Sequence, residues 1–373
     1  MINYIKGIYI HIPFCHSICH YCDFPRVYYN EEQADKYLDS LEYEINSTII
    51  DKSEIETIYI GGGTPSALNY NQLERLLKFI ESLNLDKIVE YSIELNPESC
   101  DENKIKLLAK YVNRVSLGVQ SFDEGIIYEI GRKHNKEEVV NCVQNLRKYG
   151  INNISIDLMY GFNIQSLDIL KNDLKIIKEL SIKHVSVYSL IIEKGSVFYN
   201  NKYEISNIEY EQNLLINDYL INELGFIHYE VSNYAVDGYQ SMHNMMYWHN
   251  DRYYGFGLGA GGFIKDYRYY NTKSITNYIN NQFNQVKEYY QCKEDYLIDQ
   301  IFTSFRIFSG IDLNVFNKNY NINFIEYFNE AIVNNYDKIC IEDNKLFFTK
   351  KGEDYLNEVI IDFIDIVERM KEK

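Results

Sequence analysis

From residue 7 the chain alternates. Ile8, Ile10 and Ile12 share one face of an extended run, and Tyr9 and His11 share the other. The same period of two returns further on. Tyr91, Ile93 and Leu95 oppose Ser92, Glu94 and Asn96, while Val115, Leu117 and Val119 oppose Ser116, Gly118 and Gln120. Ile154, Ile156 and Leu158 oppose Ser155 and Asp157, and Val185 and Val187 oppose Ser186 and Tyr188. Between these runs, helical periodicity covers 31–49, 68–83, 101–111, 136–149 and 166–180, with Asp101 placed to cap the third. A further run at 56–60 completes six strands alternating with helices. That order predicts repeated βα units on a parallel sheet. Six units make a partial (βα)6 barrel, not a closed eight-stranded one.

Parallel strands buried on both faces usually read as unbroken apolar runs. These do not. Helices should cover the apolar faces, so the polar faces point inward, which a dry core would not tolerate. The interior therefore holds a polar ligand, near the C-terminal strand ends where barrel sites lie. An antiparallel sheet with one wet face would alternate in the same way, but the long helical stretches between strands speak against it.

After Ser189 the pattern changes. A crossing segment leads to a helix at 208–224 and then to a glycine-rich GFGLGAGG. That string lacks the βαβ setting of a dinucleotide loop. From about residue 295 the tail is mostly helical, with a short hairpin at 341–349. The expected division is a barrel with its N-terminal loop at 1–200, a connecting segment at 201–290 and a C-terminal helical domain at 291–373.

The chain has 373 residues and a formal net charge of −17, which repels phosphate backbones and argues against a nucleic-acid partner. Its 36 tyrosines lie among Asn, Ile and Lys without the basic interleaving of a base-stacking surface. No run of about 18 apolar residues occurs, so no transmembrane helix is expected. The opening MINYIKGIYIHIPFC lacks a signal-peptide cleavage pattern, which points to the cytoplasm, with peripheral membrane contact at most.

Cysteines carry the chemistry. Cys15, Cys19 and Cys22 are separated by three and then two residues, in a loop that follows the first strand. Thiolates suit iron–sulfur clusters, zinc or copper(I). Three thiolates on a four-iron cluster leave one iron open. Zinc would want a fourth ligand, which His11, His16 or His20 could supply, although no second cysteine pair follows. Three inert thiols would be unusual so close together in a polar loop. Cys100, Cys142, Cys292 and Cys340 are isolated and read as packing or incidental thiols.

C-x3-C-x2-C with Tyr21 before the third cysteine resembles the radical S-adenosylmethionine superfamily. The longer Tyr-x-His-Ile-Pro-Phe-Cys at 9–15 resembles one branch of it, that of oxygen-independent coproporphyrinogen III oxidase and the HemW-type haem chaperones. The resemblance implies a 4Fe-4S cluster on the three cysteines, its open iron chelated by the amino and carboxyl groups of S-adenosylmethionine. It also implies a winged-helix-like end for the C-terminal domain. Tyr9, Gly62, Gly63 and Thr64 (in GGGTP), Glu94, Gln120, Arg132 and Asp157 fit the family's cofactor contacts in order, with Tyr21 in the cluster loop. In the oxidase several of these serve a second cofactor molecule.

Two functions compete within the branch. One is an enzyme that oxidatively decarboxylates coproporphyrinogen III. The other is a chaperone that binds haem and hands it to acceptor haem proteins, respiratory ones or others. The oxidase pattern has a fourth cysteine where this chain has Phe24, and a long segment before its motif where this chain has eight residues before Tyr9. Both departures favour the chaperone, as does His243-Asn244-x-x-Tyr247-Trp248. Histidine commonly ligates haem iron. His243 beside two aromatic rings, in a loop after the barrel, is therefore the expected haem ligand, with His228 and His249 as alternatives.

Overall fold

The computed structural model describes residues 4–49, 51–99 and 101–371. The six alternating runs are strands β1 (Ile5–Ile12), β2 (Thr57–Gly62), β3 (Glu90–Leu95), β4 (Arg114–Gln120), β5 (Asn153–Tyr160) and β6 (His184–Ser189). They pair in chain order and in parallel. Helices α1 (Glu31–Thr48), α2 (Tyr70–Ser82), α3 (Glu102–Leu108), α4 (Lys136–Lys148) and α5 (Leu167–Glu179) cross between them. Their starts are fixed locally. Asn30 caps α1, and Asp101 accepts two amide hydrogens at the start of α3. Asn69 with Gln72, and Asn135 with Glu138, form capping boxes on α2 and α4.

The apolar faces pack outward against these helices. Ile8, Ile10 and Ile12 are buried in one core with Tyr37, Leu38 and Leu41 of α1. The polar faces turn inward, as the alternation requires. This is the expected α/β partial barrel, and its sheet is open.

Residues 201–290 do more than connect. They supply β7 (Ile227–Glu230), β8 (Asn233–Ala235), β9 (Arg252–Phe256), β10 (Gly261–Ile264), β11 (Tyr267–Tyr270) and β12 (Val286–Tyr289). The twelve strands form one sheet in the order β12-β11-β10-β9-β1-β2-β3-β4-β5-β6-β8-β7. β9 lies parallel beside β1, and the other five additions are antiparallel. The glycine-rich string joins β9 to β10. A Cβ on Gly255 would overlap the Gly261 carbonyl, so these glycines let two backbones meet.

The C-terminal unit has its own core, around Phe305, Phe316, Phe324, Phe328 and Phe363. Its helices include Lys293–Ser304, Leu313–Tyr320 and Leu356–Lys371. The expected hairpin is Ile339–Glu342 with Lys345–Phe348, and Ile311–Asp312 adds a third short strand, completing a winged-helix-like end. Among the described residues, no helix is long and apolar enough to cross a membrane.

Candidate functional site

The cysteine loop leaves β1 at Pro13 and returns at once. Phe14–Cys15 pairs with Val27–Tyr28, closed by Val27 N–H to Pro13 O at 2.8 Å and Tyr29 N–H to Cys15 O at 2.9 Å. The loop between is pinned across the barrel. His20 N–H donates to Ile130 O at 2.9 Å, and His20 Nδ1 lies 2.7 Å from Glu129 O. Cys22 N–H turns back to Cys19 O at 3.2 Å.

This loop roofs a cavity of about 280 Å³ at the C-terminal ends of the strands. Cys15, Cys19, Cys22, Tyr21, Gly62, Gly63, Thr64, Glu94, Gln120, Arg132 and Asp157 all line it. Residues far apart in sequence are thus brought to one place, as expected. Two candidates are not. Tyr9 lies behind the wall, its ring 6.2 Å from that of Tyr59 and its hydroxyl 3.0 Å from His11 Nδ1. His243 is at the opposite end of the barrel.

Thr64 Oγ1 donates to Cys15 Sγ at 3.6 Å and accepts from Asn96 Nδ2 at 3.1 Å. Burial pushes the Cys15 thiol up, and pushes Cys22 to about 11 against the pull of Arg26. Bare thiols here would be protonated, and metal ligation would hold them as thiolates. Among the described residues, no three His, Cys, Asp or Glu side chains close on a single ion. Cys15, Cys19 and Cys22 line the same cavity mouth.

Glu94 accepts from Tyr59 Oη at 2.9 Å and from Gly62 N–H at 3.0 Å. Burial and the nearby Asp157 raise its carboxyl to about 7. Asp157 is also raised by burial, while Ser116 Oγ donates to it at 2.9 Å. Gly63 N–H donates to Ile12 O at 2.9 Å. The amides of Gly62 and Gly63 are therefore already used, and the glycines serve clearance instead. A Cβ on Gly62, at φ +118°, would meet the His11 ring, and one on Gly63 would meet Cys15 Sγ at 2.9 Å.

Unsatisfied groups mark the inner wall. Gln120 Oε1 and Arg132 Nε and Nη2 are buried without hydrogen-bond partners. Gln120 also sits at φ +69°, where the β4–β5 register shifts. Buried orphan groups and left-handed backbone both cost free energy, and both concentrate at binding sites. Glu98 lies 3.8 Å from Arg132 Nη2, too far for a hydrogen bond.

Asn96, Tyr188, Arg26 and Met159 line the cavity too, and Tyr59 holds Glu94. Sequence reasoning does not single these out as site residues. Asn96 and Tyr188 follow directly from the inward alternation. Tyr59 could be found in the same way, since Thr57, Tyr59 and Gly61 alternate with Ile58 and Ile60.

The His243 motif is not a loop. It forms helix α6 (Met242–Trp248), which closes the floor of the barrel. Glu90, at the start of β3, accepts from Met242 N–H at 2.9 Å and His243 N–H at 3.0 Å. His243 is 1% exposed. Its Nδ1 lies 2.8 Å from Thr57 Oγ1 and its Nε2 2.8 Å from Tyr247 Oη, while its ring stacks on Tyr59 at 5.2 Å. Both nitrogens are occupied by protein groups, and no side of the ring opens to a ligand the size of haem. His228 is half-buried between Tyr234 and Phe308, 3.7 Å from Glu353. His249 is exposed at the end of α6. Cys142 is buried in the core, Cys292 and Cys340 are half-buried, and Cys100 lies outside the described residues.

Residues 9–177 match the Radical SAM superfamily. The heme chaperone HemW of Lactococcus lactis is 36% identical over 98% of this chain and 98% of its own, and that of Bacillus subtilis 33% over 96% and 99%. This chain belongs to the HemW family. Its fold is also that of Escherichia coli coproporphyrinogen III oxidase HemN, at TM-score 0.82 over 97% of this chain and 91% of that one, with 20% identity. Membership of the radical SAM superfamily implies a 4Fe-4S cluster and S-adenosylmethionine. The cavity fits both: three thiols at its mouth, and buried, unpaired polar groups with two raised carboxylates below them, suited to a cationic, hydroxyl-bearing cofactor.

Proposed function

We propose that this protein is a haem chaperone, which binds haem and hands it to acceptor haem proteins while carrying the cluster and S-adenosylmethionine in its barrel. The similarity along nearly the whole chain to relatives named heme chaperone supports this reading. Phe24, 59% exposed at the cavity rim, supports it further, because it stands where the oxidase pattern has its fourth cysteine.

Cys15, Cys19 and Cys22 would hold the cluster. Glu94, Gln120, Arg132 and Asp157 would orient the cofactor beneath it, Asp157 as an acceptor for hydroxyl groups. When bound, the cluster and cofactor supply one-electron chemistry. The chain's own part is to exclude water behind the pinned loop and to set two carboxylates against a cationic ligand.

The test is a pair of anaerobic assays on cluster-loaded protein with cofactor and a reductant. Coproporphyrinogen III should be recovered unchanged, and haem pre-bound to the protein should reach a haem-free cytochrome faster than it escapes to an unrelated haem trap. Multiple turnovers of coproporphyrinogen III would place the protein with the oxidases instead.

A further inference from the structure

A haem chaperone needs a surface for haem, and the barrel cavity is fitted to cluster and cofactor. A second cavity, of about 410 Å³, lies between the β9–β10 end of the sheet and the C-terminal unit. Its size falls in the range of small-molecule sites, about 300–1,000 Å³. Phe263, Val315 and Phe316 line it beside Arg252, Gln300 and Asp312, a part apolar, part polar wall that suits a ligand with an apolar ring and polar substituents. His249 stands on its edge.

The eight histidines can be sorted by what their rings already do. His11, His184 and His243 have both ring nitrogens within 3.0 Å of protein partners. His20 is held by Glu129 O. His134 is buried beside Glu98, and His228 is half-buried beside Glu353 and stacked on Tyr234, with the ring nitrogens of both shielded from solvent and not hydrogen-bonded. Only His16 and His249 are exposed. His16 follows Cys15 in the cluster loop, edge-on to Tyr29. His249 alone combines an exposed ring with a place in the wall of this cavity.

We propose that haem binds in this cleft between the sheet and the C-terminal unit, with His249 as an axial ligand to its iron. The proposal rests on the haem-chaperone reading. A neutral imidazole nitrogen gives its lone pair to the open axial position of the iron, and no electron or proton changes place. His249 directly follows α6, whose other end carries His243 against Tyr59, the partner of Glu94. One seven-residue helix thus joins the haem cleft to the cofactor cavity.

The experiment is an anaerobic titration of the full-length, cluster-loaded protein with ferric protoporphyrin IX, read as a difference spectrum against haem-free protein. His249→Ala should shift the Soret band and raise the Kd about tenfold or more, the scale on which losing a metal-site residue is felt. Val315→Trp touches no histidine and fills the cleft from a residue that is 48% exposed, so it should weaken binding without unfolding the protein. His16→Ala should leave the haem spectrum as it was. Haem binding that survives both His249→Ala and Val315→Trp overturns the site while leaving the chaperone reading in place. So does a Soret change that follows His16. A parent protein that takes up no haem overturns both.

Discussion

The mouth and the floor of the barrel are built from the same six strands, yet they treat their inward polar side chains in opposite ways. At the floor, Thr57 and Tyr247 take the two nitrogens of His243, Glu90 takes the first amides of α6, and His184 bridges Ser155 and Tyr229. At the mouth, Gln120 and Arg132 are buried with polar atoms unpaired, and two cysteine thiols are pushed up by burial. Each unpaired buried group costs about 1–3 kcal/mol. The floor pairs most of its polar groups internally. The mouth withholds them, which is what a ligand site does. Ser92, midway between, and Trp248 of α6 depart from this, the first with its hydroxyl and the second with its indole nitrogen unpaired.

The comparison breaks most directly at the cysteines. Alanine at Cys15, Cys19 or Cys22 should take the iron content after anaerobic reconstitution from about four per chain to near zero. The fold should survive, because the mouth contributes little to the core. Iron and sulfide analysis beside thermal unfolding reads both halves. A variant that keeps its iron would remove that cysteine from the cluster, and one that unfolds would mean the loop holds the barrel together.

The floor should answer the other way. His243→Ala removes a buried ring and strands Thr57 and Tyr247, which should cost about 3–5 kcal/mol. Cluster assembly and the haem Soret band should not change. Burial holds the His243 imidazole at about 3, below its ordinary 6.5, so it is neutral in the fold. Its folded value lies below its unfolded one. The stability it contributes is therefore present above pH 6.5 and lost as pH falls from there toward 3. The variant should show a flatter acid limb in denaturant unfolding across that window. A variant of parental stability that no longer binds haem would return His243 to the role of haem ligand.

The mouth was more legible in sequence than the floor, for a physical reason. Inward residues of a strand obey a period of two, so Glu94, Gln120 and Asp157 can be read one strand at a time. The floor depends on contacts between distant segments. His243 meets Glu90 across 153 positions and Thr57 across 186. A seven-residue helix shows too little periodicity to announce itself, and its motif reads equally well as a loop. The six added strands are three to five residues long and rich in tyrosine and glycine, so alternation had little length in which to appear. That β9 lies beside β1 is a fact of topology, which no local pattern carries.

Glu94 is where the two regions meet, and it carries the smallest and sharpest test. Its partner Tyr59 stacks on His243 from the floor, while its carboxylate lines the cavity. Burial, with Asp157 adding to it, raises the carboxyl from 4.5 to about 7. The folded protein therefore holds a proton that the unfolded chain has released. The stability this gives is complete below pH 4.5 and is lost as pH rises through about 7. Glu94→Gln keeps the shape without the charge, so at pH 8 the cofactor-free variant should be the more stable protein. Each tenfold change in proton affinity is worth about 1.4 kcal/mol, so the gain should be at most about 3 kcal/mol, and less where water reaches the group. The difference in unfolding free energy should vanish toward pH 4.5. A cationic cofactor reverses the preference, because it favours the ionised carboxylate, so its binding at pH 6 should release protons from the parent and fewer from Glu94→Gln. Calorimetry in buffers of different ionisation enthalpy counts them. Equal proton release from the two proteins, with no difference in their stability at pH 8, would mean that Glu94 belongs with the satisfied groups of the floor and that the boundary between the regions lies higher in the barrel.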